Sequence, residues 1–165
     1  MEALHAVPEL AIQAFEKSTA TSVTVHDLSD AWWPYLAPDR FEHTSPRCAA
    51  VKAGFQTACT HFDVEILRRE IQRFPEGCVK ECHAGLVEWV VPINEKGGLR
   101  AILFAGQRIR TEGLSLGLRD QRVSKDALSR NSFPESIDEA DSRTTLELLR
   151  QLGARLYAWH GQMEV

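Results

Sequence analysis

The sequence lacks an excess of basic residues. Its 165 residues include 19 Lys and Arg against 23 Asp and Glu, which gives a formal net charge of −4. Domains that bind nucleic acid usually carry a basic face, so this balance argues against direct DNA contact by these residues. No apolar run approaches the roughly 18 residues of a membrane span, and residues 1–15 lack the basic and apolar regions of a signal peptide. We therefore expect a cytoplasmic chain with no membrane contact.

The signatures of common catalytic sites are missing as well. The sequence contains no G-x-S-x-G elbow, no glycine-rich phosphate loop and no H-E-x-x-H pair. Cys82 and His83 are neighbours in the sequence, but a catalytic Cys/His pair is normally brought together by the fold. Glu139 and Asp141 lie in a charged segment that is typical of a solvated surface. We expect that the chain is not an enzyme.

The local patterns predict an α+β domain in which helices pack against an antiparallel sheet. The polar stretch 110–140 is compatible with short helices or with a loop. The predicted helices cover 8–15, 46–71 with an interruption at Gly54, and 144–163; the predicted strands cover 22–26, 86–93 and 99–105, the last two joined by a hairpin loop at 94–98.

The last predicted helix carries an apolar stripe. Leu146, Leu149, Leu152 and Leu156 recur at intervals of three or four residues, so they share one face. This face either packs on the sheet of the same chain or pairs with a second copy. Because the helix runs almost to the end of the sequence, we expect it to lead into another domain.

Four cysteines lie within 35 positions, at Cys48, Cys59, Cys78 and Cys82, and His83 follows directly. In a cytoplasmic protein such residues are thiols or metal ligands rather than disulfides. The spacing matches neither a zinc ribbon nor a bacterial ferredoxin. Four thiolates and an imidazole can still bind zinc or an iron–sulfur cluster if the fold gathers them, whereas free cysteines often only fill space in a core. The spacing leaves both alternatives open.

Other candidate residues are aromatic or histidine side chains. Trp89 lies on an apolar strand face, where it is either core or the wall of a pocket. Trp32 and Trp33 are adjacent in a loop-like stretch and are candidates to close a pocket. His83 precedes a strand and is a structural residue or a ligand contact. The remaining candidates, with less support, are His26, His43 and His61.

Three short segments resemble the signature of PocR sensory domains. They are Glu81-Cys82-His83-Ala84-Gly85-Leu86, Val91-Pro92-Ile93 and Ala105-Gly106-Gln107. Cys48 and Cys59 also stand where this family has cysteines, and the resemblance covers roughly 8–110. The sequence departs from the pattern at Cys78, and at Ser29-Asp30, where two glycines are usual.

The resemblance implies a variant of the PAS fold, with an antiparallel sheet, flanking helices and a long C-terminal helix around a cavity. Such domains sense small hydrocarbon derivatives, of which propanediol is the model case, and precede an AraC-type DNA-binding domain or a kinase. By this resemblance, residues 1–142 form the sensory domain of a transcriptional regulator. Residues 143–165 then connect it to a DNA-binding output domain, and we expect a homodimer.

We expect the ligand, a diol or polyol, between the sheet and the helices that carry Cys48 and Cys59. No cofactor is required for this function. An alternative hypothesis is a redox sensor with zinc or an iron–sulfur cluster on Cys48, Cys59, Cys82 and, tentatively, Cys78. A third is an interaction module without a cavity. The residues predicted to contact the small-molecule ligand are His83, Trp89, Gln107, Trp32 and Cys82, with His26 as a further hydrogen-bonding candidate.

Overall fold

The computed structural model describes residues 2–43, 46–96, 98–109, 113–120 and 137–163. Most of the polar stretch 110–140 lies outside these residues. The α-helices are α1 (Glu2–Thr19), α2 (Pro46–Thr60), α3 (Leu67–Glu70) and α4 (Glu139–Met163), and a π-helix (His61–Ile66) joins α2 to α3. The strands are β1 (Ser22–Asp27), β2 (Cys78–Glu81), β3 (Leu86–Glu95), β4 (Gly98–Ile109) and β5 (Leu118–Arg119), and short 3-10 turns cover Trp33–Tyr35, Pro38–Phe41 and Ile71–Arg73.

One five-stranded sheet forms the centre of the domain, with the strand order β1-β4-β3-β2-β5. The predicted hairpin is confirmed: β3 and β4 pair antiparallel from Leu86 and Ile109 to Glu95 and Gly98. The sheet is antiparallel except at one edge, where β5 pairs parallel to β2. The α+β class predicted from the sequence is therefore confirmed, and the parallel edge makes the sheet mixed.

The first face of the sheet packs on α1 and α4. Because side chains alternate along a strand, every second residue of β3 points to this face. The large apolar core there also includes Ile12 and Phe15 of α1 and Leu149, Leu152 and Leu156 of α4. The β3 residues in this core are Val87, Trp89, Val91 and Ile93.

The leucine stripe of α4 packs against the sheet of its own chain. Leu149, Leu152 and Leu156 are buried in the core, so they are not available to pair with a second copy through this face. The helix also begins at Glu139, five residues before the predicted start. Asp138 explains this start, because its Oδ1 accepts a hydrogen bond of 2.7 Å from the backbone N–H of Asp141, as an N-cap residue does.

The second face of the sheet is covered by α2, the π-helix and α3. An apolar cluster of Leu67, Ile71, Val90, Ile102 and Phe104 fills part of the space beneath them. The rest of the covered space contains charged side chains of β2 and β3. None of the helices in the described ranges has the length and apolar character that would let it cross a membrane.

Candidate functional site

A cavity of about 30 Å³ lies between the second face of the sheet and the α2 and π-helix cover. We call it the central cavity. Its apolar wall includes Phe62 and Leu86, and polar side chains line the remainder. The full lining comprises His43, Cys48, Cys59, Phe62, Asp63, Cys82, His83, Leu86, Glu88 and Gln107.

Glu88 on β3 organises the floor of the central cavity. Its Oε1 lies 2.9 Å from Lys80 Nζ, and its Oε2 lies 2.9 Å from His43 Nε2. Gln107 Nε2 donates a hydrogen bond of 3.0 Å to the same Oε2. Lys80 also pairs with Asp63, which the π-helix brings above the sheet. Four charged or ionisable side chains thus form one network beside the apolar cluster of this face.

The environment favours the charged forms of Lys80, Glu88 and His43. Burial lowers the pKa of Lys80, but the carboxylates of Asp63 and Glu88 outweigh this effect and hold the pKa above its usual range. Burial raises the pKa of Glu88, but His43 and Lys80 outweigh it and hold the pKa well below its usual range. For His43, burial lowers the pKa, but Glu88 and Asp63 outweigh it and hold the pKa above the ordinary 6.5.

Three cysteines border the central cavity beside the network. Cys48 and Cys59 come from α2, and Cys82 lies on the turn between β2 and β3; all three pack against Ala84 and Leu86. Cys59 Sγ lies 3.1 Å from His83 Nε2. Burial raises the pKa of Cys82 to about 12, so this side chain is a neutral thiol at neutral pH.

A surface cleft of about 460 Å³ adjoins the central cavity. We call it the outer cleft, and it shares His43, Cys59 and Asp63 with the central cavity. His26 lies on its wall, where burial, together with the nearby His43, lowers its pKa to about 4. The two spaces are therefore separated by a thin wall of side chains that belong to both. The remaining lining of the outer cleft is Phe41, Glu42, Gln56, Thr60 and Val64.

The cysteines do not form a metal centre in the described part of the chain. Within the described ranges, no group of three or more His, Cys, Asp or Glu side chains is arranged to hold a metal ion. Cys78 does not line the central cavity with the other three cysteines, because it is buried in the apolar cluster with Val90 and Phe104. None of the four cysteines is part of a disulfide. The zinc or iron–sulfur hypothesis therefore has no geometric support among these residues.

The structure brings together three of the five residues predicted to contact a ligand. His83, Gln107 and Cys82 line the central cavity, whereas Trp89 and Trp32 do not. Trp89 follows Glu88 on β3 and so faces the opposite side of the sheet, where its Nε1 donates a hydrogen bond of 2.9 Å to Ser142 Oγ. Trp32 is buried in the core of that face and stacks on His160.

Most of the charged network was not predicted from the sequence. Lys80, Asp63 and Glu88 received no role, and His43 received little support. One signal was present: Glu88 interrupts a run of apolar residues in β3, and a charged residue at a buried strand position needs a partner. The partners themselves come from separate elements, which no spacing rule connects.

One comparison with known proteins gives a match. The sequence model of the family described as "Sensory domain found in PocR" matches residues 9–150. No curated protein and no solved structure matches the chain.

Proposed function

The chain belongs to the family of PocR sensory domains, and from this premise we propose that it binds a small hydroxylated hydrocarbon in its central cavity. A sensory domain implies a small-molecule ligand, and a diol or polyol fits the chemistry of this cavity best. The observation that supports this proposal most strongly is the pair of buried polar side chains, Glu88 and Gln107, on the floor of a space with apolar walls. Ligand pockets are typically apolar with a few placed polar groups.

The floor is organised to recognise hydroxyl groups. A carboxylate has about four sites for hydrogen-bond donors, and Glu88 uses three of them for Lys80, His43 and Gln107. A ligand hydroxyl can donate to the remaining site. Because Gln107 Nε2 is held by Glu88, the orientation of its amide is fixed, and it presents a defined polar pattern to the ligand. An alkane cannot donate to this remaining site of Glu88, and a missing hydrogen bond at a buried polar group costs about 1–3 kcal/mol.

Binding requires movement of the helical cover. About 30 Å³ holds roughly two water molecules, which is less than a diol occupies. The cover has two irregular points where it can yield: Phe55 has non-helical angles inside α2, and the segment His61–Ile66 is a π-helix. A ligand that enters from the outer cleft would pass His43 and Cys59 and displace this cover. The proposal therefore couples binding to a shift of α2.

A calorimetric titration tests the ligand proposal. Propane-1,2-diol is titrated into the wild-type chain, with n-propanol and glycerol as comparison ligands. Gln107→Met removes the amide at nearly constant volume and should weaken diol binding by about five- to 150-fold, the equivalent of 1–3 kcal/mol. Gln162→Met, at an exposed position on α4, is the matched control and should bind as the wild type does. Diol binding that Gln107→Met leaves unchanged would refute the proposed site.

We further propose that the bound ligand acts on α4 through β3. Glu88 faces the cavity, and its neighbour Trp89 faces α4, where it donates to Ser142 in a buried hydrogen bond. A ligand that shifts Glu88 therefore shifts the strand that holds α4. A ligand changes such an equilibrium only by its differential affinity for the two states, so the response of α4 must be measured together with binding.

Hydrogen–deuterium exchange measures this coupling. In the wild type, saturating propane-1,2-diol should change the exchange rates of backbone amides in α4. Ser142→Ala removes the acceptor of the Trp89 hydrogen bond without touching the cavity, so it should bind the diol normally and lose the α4 response. Ser115→Ala, an exposed residue outside the sheet, serves as the control. An unaltered α4 response in Ser142→Ala would contradict this route.

The output side of the proposal follows from the family. We propose that residues 1–142 sense the ligand and that residues 143–165 connect them to a DNA-binding domain of a transcriptional regulator, in a cytoplasmic homodimer. A dimer would have to use a surface other than the leucine stripe of α4, which is buried. Sedimentation equilibrium of the chain with and without diol tests this part, and a monomer at all concentrations would contradict dimerisation through these residues.

A further inference from the structure

A thiol and an imidazole meet at the wall of the central cavity. Cys59 Sγ and His83 Nε2 are 3.1 Å apart, although the residues lie on different elements, α2 and the turn between β2 and β3. His83 is buried, whereas Cys59 is partly exposed. A thiol within hydrogen-bond distance of an imidazole nitrogen can transfer its proton to that nitrogen, which makes the sulfur a nucleophile.

Cys59 is also positioned where an entering molecule would meet it. It is one of three residues shared by the outer cleft and the central cavity. A molecule that reaches the cavity from the outer cleft therefore passes its sulfur. His83 lines only the central cavity, so the imidazole lies on the inner side of the thiol.

The other nucleophiles near the cavity are poorly suited to react. Burial keeps Cys82 as a neutral thiol, which attacks electrophiles far more slowly than a thiolate does. Lys80 is completely buried and paired with Asp63 and Glu88, so its nitrogen is an ammonium group without an available lone pair. Cys48 lines the central cavity but not the outer cleft, so it lies off the entry route that passes Cys59. The arrangement therefore selects Cys59.

We propose that Cys59 forms a reversible covalent adduct with short aliphatic aldehydes in the central cavity. This inference rests on the proposed function, because it names a ligand class for the same cavity. The Cys59 sulfur attacks the carbonyl carbon, a C–S bond forms and the C=O π bond breaks. The thiol proton passes through His83 to the former carbonyl oxygen. The product is a thiohemiacetal, and no oxidant or reductant is needed.

The size of the cavity favours short aldehydes. Its volume of about 30 Å³ accommodates a formyl group and little more, and bulky aromatic electrophiles would require a larger displacement of the cover. The new hydroxyl of a thiohemiacetal would lie in the same lined space as Gln107 and Glu88. The adduct thus resembles a hydroxylated ligand at its polar end.

The adduct is tested by nuclear magnetic resonance with carbonyl-¹³C-labelled acetaldehyde and the whole chain. The wild type should convert the carbonyl signal into a signal of a saturated carbon bearing oxygen and sulfur, reversibly on dialysis. Cys59→Ser should lose this signal, and the matched control Cys48→Ser should retain it. Loss in Cys48→Ser with retention in Cys59→Ser would overturn the assignment.

Alkylation by iodoacetamide with peptide mapping tests the role of His83 as a positioning residue. Each cysteine is read separately, so Cys48 serves as an internal reference. His83→Gln should slow the alkylation of Cys59 about tenfold or more, as expected when a base is removed, with Cys48 unchanged. Equal alkylation rates at Cys59 in the wild type and in His83→Gln would show that His83 does not act as the base. If His83→Gln does not fold, protection of wild-type Cys59 from iodoacetamide by acetaldehyde still tests whether the adduct forms at this residue, and alkylation of Cys59 that acetaldehyde leaves unchanged would overturn the proposal.

Two further measurements separate this inference from the proposed function. Propane-1,2-diol is not an electrophile, so diol binding without an acetaldehyde adduct would overturn the inference and leave the proposed function standing. If neither the diol nor acetaldehyde binds, the proposed function and this inference are both refuted. Reduction with borohydride in the presence of acetaldehyde traps imines on lysine. A stable label on Lys80 would show that acetaldehyde reacts with this lysine, and it would overturn the proposal for Cys59.

Discussion

Removal of the Lys80 charge should strongly destabilise the domain. Lys80 is completely buried and Glu88 nearly so, and their ionised atoms are 2.9 Å apart. Lys80→Met keeps most of the aliphatic chain but removes the ammonium group, which lies over the rings of Phe62 and Phe104. The carboxylates of Asp63 and Glu88 then lose this buried cation. Breaking a buried pair by removing one partner costs about 3–5 kcal/mol. Since domains of this size are stable by about 5–15 kcal/mol, the loss would be easily measured.

Urea denaturation at neutral pH, followed by the fluorescence of the buried tryptophans, measures this loss. The double variant Lys80→Met/Glu88→Gln removes the anion as well, so its loss should be smaller than the sum of the two single losses by about 0.5–3 kcal/mol. Arg150→Met breaks an exposed ion pair with Glu147 on α4 and should show no measurable change. A loss of unfolding free energy below about 1 kcal/mol for Lys80→Met would refute this account of the network. A loss in the double variant equal to the sum of the two single losses would refute it as well.

Three further predictions concern packing and pH. Gly117→Ala should destabilise the domain by about 1–3 kcal/mol in thermal melts, because a Cβ there would lie 2.6 Å from Cys78 Cβ, whereas Gly161→Ala, with nothing within 4 Å, should not. The raised pKa of His43 means that its contribution to stability is complete below pH 6.5 and is lost as the pH rises through the higher folded value. The stability difference between wild type and His43→Gln should therefore shrink as the pH rises above 6.5; a constant difference would contradict the charged state of His43. His26 should have the opposite pH dependence, because its pKa is lowered to about 4. Its contribution to stability should fall as the pH drops from 6.5 towards 4, and His26→Gln should not show this fall in stability.

The parts of the fold that depend on local pattern were predictable. The alternation in β1, the nearly continuous apolar runs in β3 and β4 and the leucine spacing in α4 are local patterns, so the hairpin, the last helix and the α+β class followed from the sequence. The short strands β2 and β5 were missed. Two residues of β5 pair with β2 only because Gly117 permits the close approach of the backbone to Cys78, a tertiary condition that local propensity does not encode.

The candidate site was predicted only in part, for a related reason. Cys82, His83 and Gln107 belong to one sequence signature and do meet at one cavity. Trp89 was a candidate because it is an aromatic residue on an apolar strand face. Glu88 next to it lies on the cavity side, so strand alternation turns the indole of Trp89 towards α4. The remaining members of the network come from three separate elements: His43 from a loop, Lys80 from the short strand β2, and Asp63 from the π-helix. The helical spacing over 46–71 predicted a helix there but did not indicate that Asp63 would meet the other two.

The central claim is that a small ligand binds under α2 and not on the α4 face. Methyl resonances of isotopically labelled leucines distinguish these two places, because Leu86 lines the central cavity and Leu149 is buried in the opposite core. Titration with propane-1,2-diol should shift the Leu86 methyl signals in a saturable manner, with at most a small response at Leu149. Saturable shifts confined to Leu149, or none at either leucine up to molar diol, would contradict the proposed binding site.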